Sequence, residues 1–557
     1  MNTLPAEILG HIVDIIPEVQ GWNVKRAQYS SISRAWKTSV ERHTFKRFTI
    51  KTDELDAFAA LFSGEAISRR SKMTSLSVSF MLPTPPNATG CCPVEQPPDR
   101  EADSIAFSAS VVKLFTIMAD IEARATEKQP LFLCFSEAYR LSKFGGLTLS
   151  TWPKCDILDG FQNRHSRREV MEAQAVSGQF DLVRENIIPT LPGITAFQYL
   201  GFEHLSALKP TWIPGIVARL PDLEKLDIRS EDLYSYGRST RNARRECFAA
   251  TIHSLAGNHL REIRLFSEVD RMGNEDLPVH RLVKNGGWRQ ESWFCILNYL
   301  ASLPNLAILQ LHGGLVICPE FFRGIIDHPG TPFPSLVEFE LQFSVETADG
   351  RWFYERDDDA IESSRSNPEY KQFWLEESMW EEEYAHERDA QSLDSDDYVR
   401  VYEDGPFRTD VVQLNRFRSV PNTTSFLPFL MDSSKAALRI LNLKKFILKL
   451  GGSFAQHNDL DFFPIVSRVF ELWYLKAGMH RTAPDKSYIM NPQVPWDAAY
   501  LNQNRLYWRV DGTKPWDEVQ AAWGAIAGPD AKIIFLEEDQ WTGLSGCPLI
   551  QVYKGEF

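Results

Sequence analysis

No stretch of about 18 consecutive apolar residues occurs in this chain of 557 residues, so hydropathy gives no expectation of a membrane span. The opening residues lack a basic region followed by an apolar core, so no secretory leader is expected either. Cysteine is sparse. The eight cysteines, at 91, 92, 134, 155, 247, 295, 318 and 547, are scattered and form no Cys-x-x-Cys pair. Such usage fits a reducing compartment, in which thiols behave as small buried apolar groups. The expected location is therefore the cytoplasm, the nucleus or both. There the glycosylation-type triplets Asn87-Ala88-Thr89 and Asn422-Thr423-Thr424 are chance matches.

Catalytic signatures are also missing. The sequence has no Gly-x4-Gly-Lys-Ser/Thr phosphate cradle, no Gly-x-Ser-x-Gly elbow and no His-Glu-x-x-His metal pair. Gly543-Leu544-Ser545-Gly546 has the wrong spacing for a nucleophile turn. Asp357-Asp358-Asp359 and Asp394-x-Asp396-Asp397 lack the glycine and the glutamate that a helix-loop-helix calcium site places at its sixth and twelfth positions. His204, His253, His312 and His457 share no ligand spacing. The expectation is a chain that is not an enzyme and holds no metal and no cofactor.

Positive charge is never concentrated enough to suggest a nucleic-acid partner, because phosphate contacts need clustered Lys and Arg. The net charge of −14 is local rather than general. Between Glu346 and Asp404 lie 20 acidic and 6 basic side chains, leaving 54 of each sign elsewhere. The best basic cluster is Arg238, Arg241, Arg244 and Arg245, read as a solvated helix face or as a contact for an acidic or phosphorylated partner. The acidic stretch carries Trp374 and Trp380 among its aromatics. It is read either as a solvated loop or as an arm in which charge speeds encounter with a basic partner and tryptophan provides anchors.

What is present is most specific at the N-terminus. Leu4-Pro5-Ala6-Glu7-Ile8-Leu9 opens a short segment in which Ile8, Leu9, Ile12, Val13 and Ile16 recur at helical spacing. Thr3 is placed to cap it, and Pro5 sits in the first turn, where its missing N–H costs nothing. After a break from Pro17 to Asn23, Tyr29, Ile32, Trp36 and Val40 form a second stripe at steps of three and four. About 45 residues cannot close a self-sufficient core, so some of this apolar surface must face another surface. Leu-Pro-x-Glu-Ile-Leu followed by Ser33-Arg34-Ala35-Trp36-Lys37 resembles an F-box of the type found in fungal proteins. That resemblance covers less than a tenth of the chain. It implies docking to a Skp-type adaptor and its cullin complex. Leu4, Pro5, Ile8, Leu9, Ile12 and Ile16 would then face the adaptor, Tyr29, Ile32, Trp36 and Val40 would form the module's core, and Phe45 and Phe48 would lean toward the rest of the chain.

Beyond the module, a phrase with apolar residues at plus three and plus five recurs. Leu223-x-x-Leu226-x-Ile228 is the clearest copy, followed by Leu260-x-x-Ile263-x-Leu265, Leu306-x-x-Leu309-x-Leu311, Leu336-x-x-Phe339-x-Leu341 and Leu438-x-x-Leu441-x-Leu443, with Ile194-x-x-Phe197-x-Tyr199 a weaker sixth. Their starts are separated by 29, 37, 46, 30 and 102 residues from Ile194 onward. Leu220-Pro221, Leu303-Pro304 and Phe333-Pro334 introduce three of them, since proline ends a helix and starts an extended segment. Alternating helix and strand predicts an α/β body with a parallel sheet. The phrase resembles an irregular leucine-rich-repeat solenoid, although the spacings are long and the family's asparagine ladder is not apparent; the alternative is a generic α/β domain whose parallel strands read Leu-x-x-Leu-x-Leu.

The expected organisation is an F-box-like module over 1–50, a repeat-like body over 51–345 with a proline-rich loop at 81–103, an acidic insertion over 346–404, last repeats over 405–480 and an α/β cap over 481–557. The reading that follows is a substrate-recognition subunit of an SCF-type cullin ubiquitin ligase. It would hold a protein substrate and contact neither nucleic acid nor membrane. A scaffold or sensor with the same docking module, and an enzyme of unknown class in the α/β body, are the alternatives.

Overall fold

The computed structural model describes residues 8–13, 26–83, 99–140, 147–148, 181–183, 185–201, 210–232, 238–255, 259–269, 281–283, 292–366, 368, 418–450, 470–479, 500–510 and 516–535. The chain divides into two compact units, one of Met1–Glu231 with Ala250–Leu260 and one of Asp232–Ala249 with Arg261–Phe557. Both are α/β, and in both the sheet is mostly parallel.

The first unit holds β1 (Arg47–Lys51), β2 (Ser75–Leu82), β3 (Leu131–Arg140), the short β4 (Leu147–Thr148), β5 (Ile194–Gly201) and β6 (Lys225–Asp232). β1, β2, β3, β5 and β6 lie side by side in that order, all parallel, and β4 pairs antiparallel with β3. Apart from the short β4, each strand thus neighbours the one before it in the chain, with helical segments between. The register aligns Phe48, Leu76, Leu133, Phe197 and Leu226 in one row across the strands. Ile50, Val78, Phe135, Tyr199 and Ile228 form a second row. These are the plus-three and plus-five positions of the repeated phrase, now extended to strands that the sequence reading missed. Phe45-x-x-Phe48-x-Ile50 and Met73-x-x-Leu76-x-Val78 are the earlier copies. The expected boundary at residue 50 falls inside β1.

A helix over Arg100–Arg124, also missed, is started by Asp99, whose Oδ1 accepts the Ala102 N–H at 3.0 Å. Glu101–Arg124 is long and apolar enough to cross a membrane by length and composition, contrary to the expectation from residue runs. Its Phe107, Val111, Leu114, Phe115, Met118 and Ile121 are buried in the unit, as in a core helix.

In the second unit β7 (Glu262–Val269), β8 (Ile308–Ile317) and β9 (Glu338–Thr347) are followed by the small pair β10 (Tyr354–Arg356) and β11 (Arg418–Pro421), then by β12 (Lys445–Leu450), β13 (Phe470–Leu475), β14 (Arg505–Val510) and β15 (Lys532–Phe535). β7, β8, β9 and β12 are parallel neighbours. β13 runs antiparallel to both β12 and β14, and β15 returns parallel to β14. The strand–helix–strand reading of the C-terminal part holds, with a helix over Asp517–Ala527. Two apolar rows again cross the strands. One is Ile263, Leu309, Phe339, Phe446, Tyr474, Leu506 and Ile533; the other is Leu265, Leu311, Leu341, Leu448, Leu472, Trp508 and Phe535.

The frame of one phrase was wrong. Leu438 belongs to the helix Phe426–Arg439 and Leu441 to the turn after it, and both lie at the surface, 62% and 73% exposed. The copy that reaches the sheet is Leu443-x-x-Phe446-x-Leu448, all three buried. The acidic insertion also begins later than its charge suggested. β9 runs to Thr347, and Phe353 packs its ring 5.4 Å from Phe343 and 5.0 Å from Phe429. Trp352 and Tyr354 are buried beside it. Asp358 and Asp359 open a short helix, Asp358–Ser366, where carboxylates favour the positive end of the dipole.

Candidate functional site

The N-terminal helices carry the sequence's most specific signal. Residues 8–13 are helical, Arg26–Ser31 form a 3-10 turn, and a second α-helix spans Arg34–Thr44. Ser33 breaks the second stripe in two. Its backbone is extended, and its Oγ accepts the Trp36 N–H at 3.4 Å, so the helix begins only after it. Tyr29 still reaches the core, stacking on Trp36 with ring centroids 6.0 Å apart. Ile32 does not. It precedes the restart and is 49% exposed, which corrects its expected place in the module's core.

Leu9, Val13, Trp36 and Val40 form one buried cluster, with Ile12 and Tyr29 packed against it. Leu9 is only 1% exposed, so it is a core residue and not part of an outward docking face. The reason is periodicity: Leu9 and Val13 are four apart and share the inward side. Ile8, one step round the helix, is 45% exposed. Leu4, Pro5 and Ile16 lie outside the described residues.

One member of the basic cluster can be placed. Arg238, Arg241, Arg244 and Arg245 all fall on the helix Arg238–Ser254, of which only the Arg245 side chain is described. Arg245 is buried, and its Nη1 donates to the carbonyl of Val316 at 2.6 Å. It fastens a helix to β8, which corrects the reading of Arg245 as a surface contact. Trp374 and Trp380 lie outside the described residues.

A polar constellation that the sequence reading did not assemble lies across β8, β9 and β12. The apolar rows occupy alternate positions, so Gln310, Glu340 and Ile447 share the other face with their neighbours along each strand. Glu340 Oε2 lies 3.1 Å from Nε2 of His312, and its other oxygen pairs with Lys445, whose Nζ is also 3.5 Å from Glu338. Burial raises the Glu340 pKa. The His312 hydrogen bond and the Lys445 charge outweigh it and hold the carboxyl at about 2. On the next strands Glu471 accepts Trp473 Nε1 at 3.0 Å and lies 3.2 Å from Lys449 and 3.8 Å from Arg509. The signal was the strict alternation of Glu338, Glu340 and Gln342 with Phe339 and Leu341, but only strand register shows which charges meet.

Among the described residues no three His, Cys, Asp or Glu side chains converge on a position that would hold a metal ion. Burial pushes the thiols of Cys134 and Cys318 up to about 12, so neither is a thiolate at neutral pH. No protein-family model matches this chain, and neither does any curated protein.

Proposed function

We propose that this chain is the substrate-recognition subunit of an SCF-type cullin ubiquitin ligase, docking to a Skp-type adaptor through its N-terminal helices. The body holds a protein substrate, and catalysis resides in the other subunits. The observation that carries the reading is the position of Ile8 within Leu4-Pro5-Ala6-Glu7-Ile8-Leu9. The inward side of this short helix is filled by Leu9 and Val13, while the aliphatic side chain of Ile8 is 45% exposed and lies outside that cluster among the described residues. Covering the exposed half of such a side chain with a partner contributes about 1 kcal/mol. The adaptor-facing set is accordingly Leu4, Pro5, Ile8 and Ile16, with Ile12 at the boundary and Leu9 assigned to the core.

The role of such a subunit is effective concentration. A substrate held beside a charged conjugating enzyme reacts in a nearly intramolecular step. On the polar sheet face Glu340 and Lys445 are covered and paired with each other, while Lys449 is exposed beside them; this reading assigns that exposed part to the substrate, because charge on a sheet face helps to exclude wrong partners.

Affinity purification of the full chain beside the double variant Leu4→Ala, Pro5→Ala tests the docking. The wild type should retain adaptor and cullin, and the double variant should lose both while keeping its circular dichroism spectrum. A folded wild type that retains neither ends the proposal.

A further inference from the structure

Only Phe45 and Lys46 separate the end of the helix Arg34–Thr44 from the start of β1. Both residues are engaged. The Lys46 carbonyl accepts the N–H groups of Thr74 and Ser75 at 2.9 and 3.1 Å and the Thr74 hydroxyl at 3.1 Å. The Phe45 ring lies 5.5 Å from Phe48, which in turn meets Phe58 at 5.7 Å and Phe62 at 5.9 Å. Arg69 covers the outer side of Phe45, its guanidinium 4.6 Å from the ring centroid, while its Nη1 donates to the Leu61 carbonyl at 3.0 Å.

One side chain on the helix itself completes the junction. Glu41 accepts Nζ of Lys72 at 2.7 Å and lies 3.8 Å from Nη2 of Arg69. Lys72 closes the 3-10 segment Gly64–Lys72, two residues before the segment that pairs with Lys46. A flexible tether needs residues free of tertiary contacts. Here the helix end, the two connecting residues and β1 are each held by different partners, so bending the junction breaks the ion pair, the aromatic packing and the Lys46 hydrogen bonds together.

We infer that the N-terminal helical module and the first strands of its unit form one rigid body, with Glu41 the positioning residue that sets the module's angle. The inference rests on the docking proposal only for its consequence: an adaptor bound beside Ile8 is then held at a fixed orientation to β1 and β2, so the chain acts as a ruler. The lowered pKa of Glu41, in which burial is outweighed by the Lys72 hydrogen bond and the charges of Lys72 and Arg69, agrees with an ionised junction at neutral pH.

Amide hydrogen exchange on the full chain tests this. In the wild type the amides of Arg34–Thr44 and of β1 should open in step. Glu41→Lys or Lys72→Glu alone should speed exchange in the helix about tenfold with little change in Arg100–Arg124, because a local opening need not involve the whole unit. The charge-swapped double variant should return the helix to within about threefold of wild type, which a role in general packing would not allow. Helix amides that already exchange far faster than β1 in the wild type would overturn the inference. So would indifference to the single reversals, or no recovery in the swap. Adaptor capture measured on the same proteins keeps the two ideas apart, since loss of capture in the wild type refutes the docking proposal and leaves the exchange result to judge the rigid junction.

Discussion

The helical cluster of Leu9, Val13, Trp36 and Val40 and the apolar rows of the second unit use the same side-chain types, yet differ in depth. Each row of the second unit crosses seven strands, so a residue such as Phe339 has packed neighbours on both sides, Leu309 and Phe446, in register. Among the described residues the helical cluster is a single layer, with Ile12 and Tyr29 packed against its four buried members. Its four members are buried, but Ile8 on the first helix and Ile32 in the bend before the second lie outside. The inner strands hide their row members from both sides and only the end strand β15 leaves its pair, Ile533 and Phe535, partly exposed, whereas a shallow cluster has apolar neighbours at the surface within its own few residues. That contrast is the physical basis for proposing the adaptor contact at the N-terminus.

Several substitutions would sharpen or break the contrast. Phe339→Ala should have the largest effect, a loss of about 3–5 kcal/mol in the stability of the second unit, because the ring stacks on Phe446 at 4.9 Å and leaves a cavity that neighbouring strands cannot close. Chemical denaturation read by tryptophan fluorescence would show it. Leu9→Ala should cost about 2–4 kcal/mol and selectively loosen the N-terminal helices, visible as fast exchange over Arg34–Thr44. An equal response to both by the N-terminal helices would mean that the two cores are one cooperative block.

The polar face gives a third test. Glu340 has its pKa lowered from an ordinary 4.5 to about 2 in the folded chain. Its ionic contribution to stability is therefore complete above about pH 4.5 and is lost as pH falls toward 2. Denaturation midpoints measured through that window should fall less steeply in Glu340→Gln than in the wild type. Matching slopes would show that this carboxylate is not held by His312 and Lys445. Leu441→Ser should have the smallest effect, within about 0.5 kcal/mol of wild type, since the side chain sits in solvent. A large loss would restore Leu441 to the core position that its spacing suggested.

Much of the architecture was legible because one rule served many strands. An apolar residue at the turn, followed by two at plus three and plus five, puts the last two on the same side of a strand, and parallel pairing then stacks them. The same spacing does not distinguish a strand from the end of a helix, which is why Leu438 and Leu441 were misplaced five residues from the true copy. Ser33 hid the break between Tyr29 and Trp36, because a capping serine and an interior serine look alike in a row of letters. Trp352, Phe353 and Tyr354 were masked by the acids around them. The Glu340 network was unreadable, since it depends on which strands neighbour one another and not on any local motif. At the candidate site the sequence correctly grouped Trp36 with Val40, but it could not tell Ile8 from Leu9 without the direction of the helix.

The most direct test of the docking role is calorimetric titration of a purified Skp-type adaptor into the full chain and into Ile8→Glu. The wild type should bind, and Ile8→Glu should bind at least about tenfold more weakly with unchanged thermal stability, as expected when a central apolar contact is lost. Equal affinity in the two proteins would contradict the account.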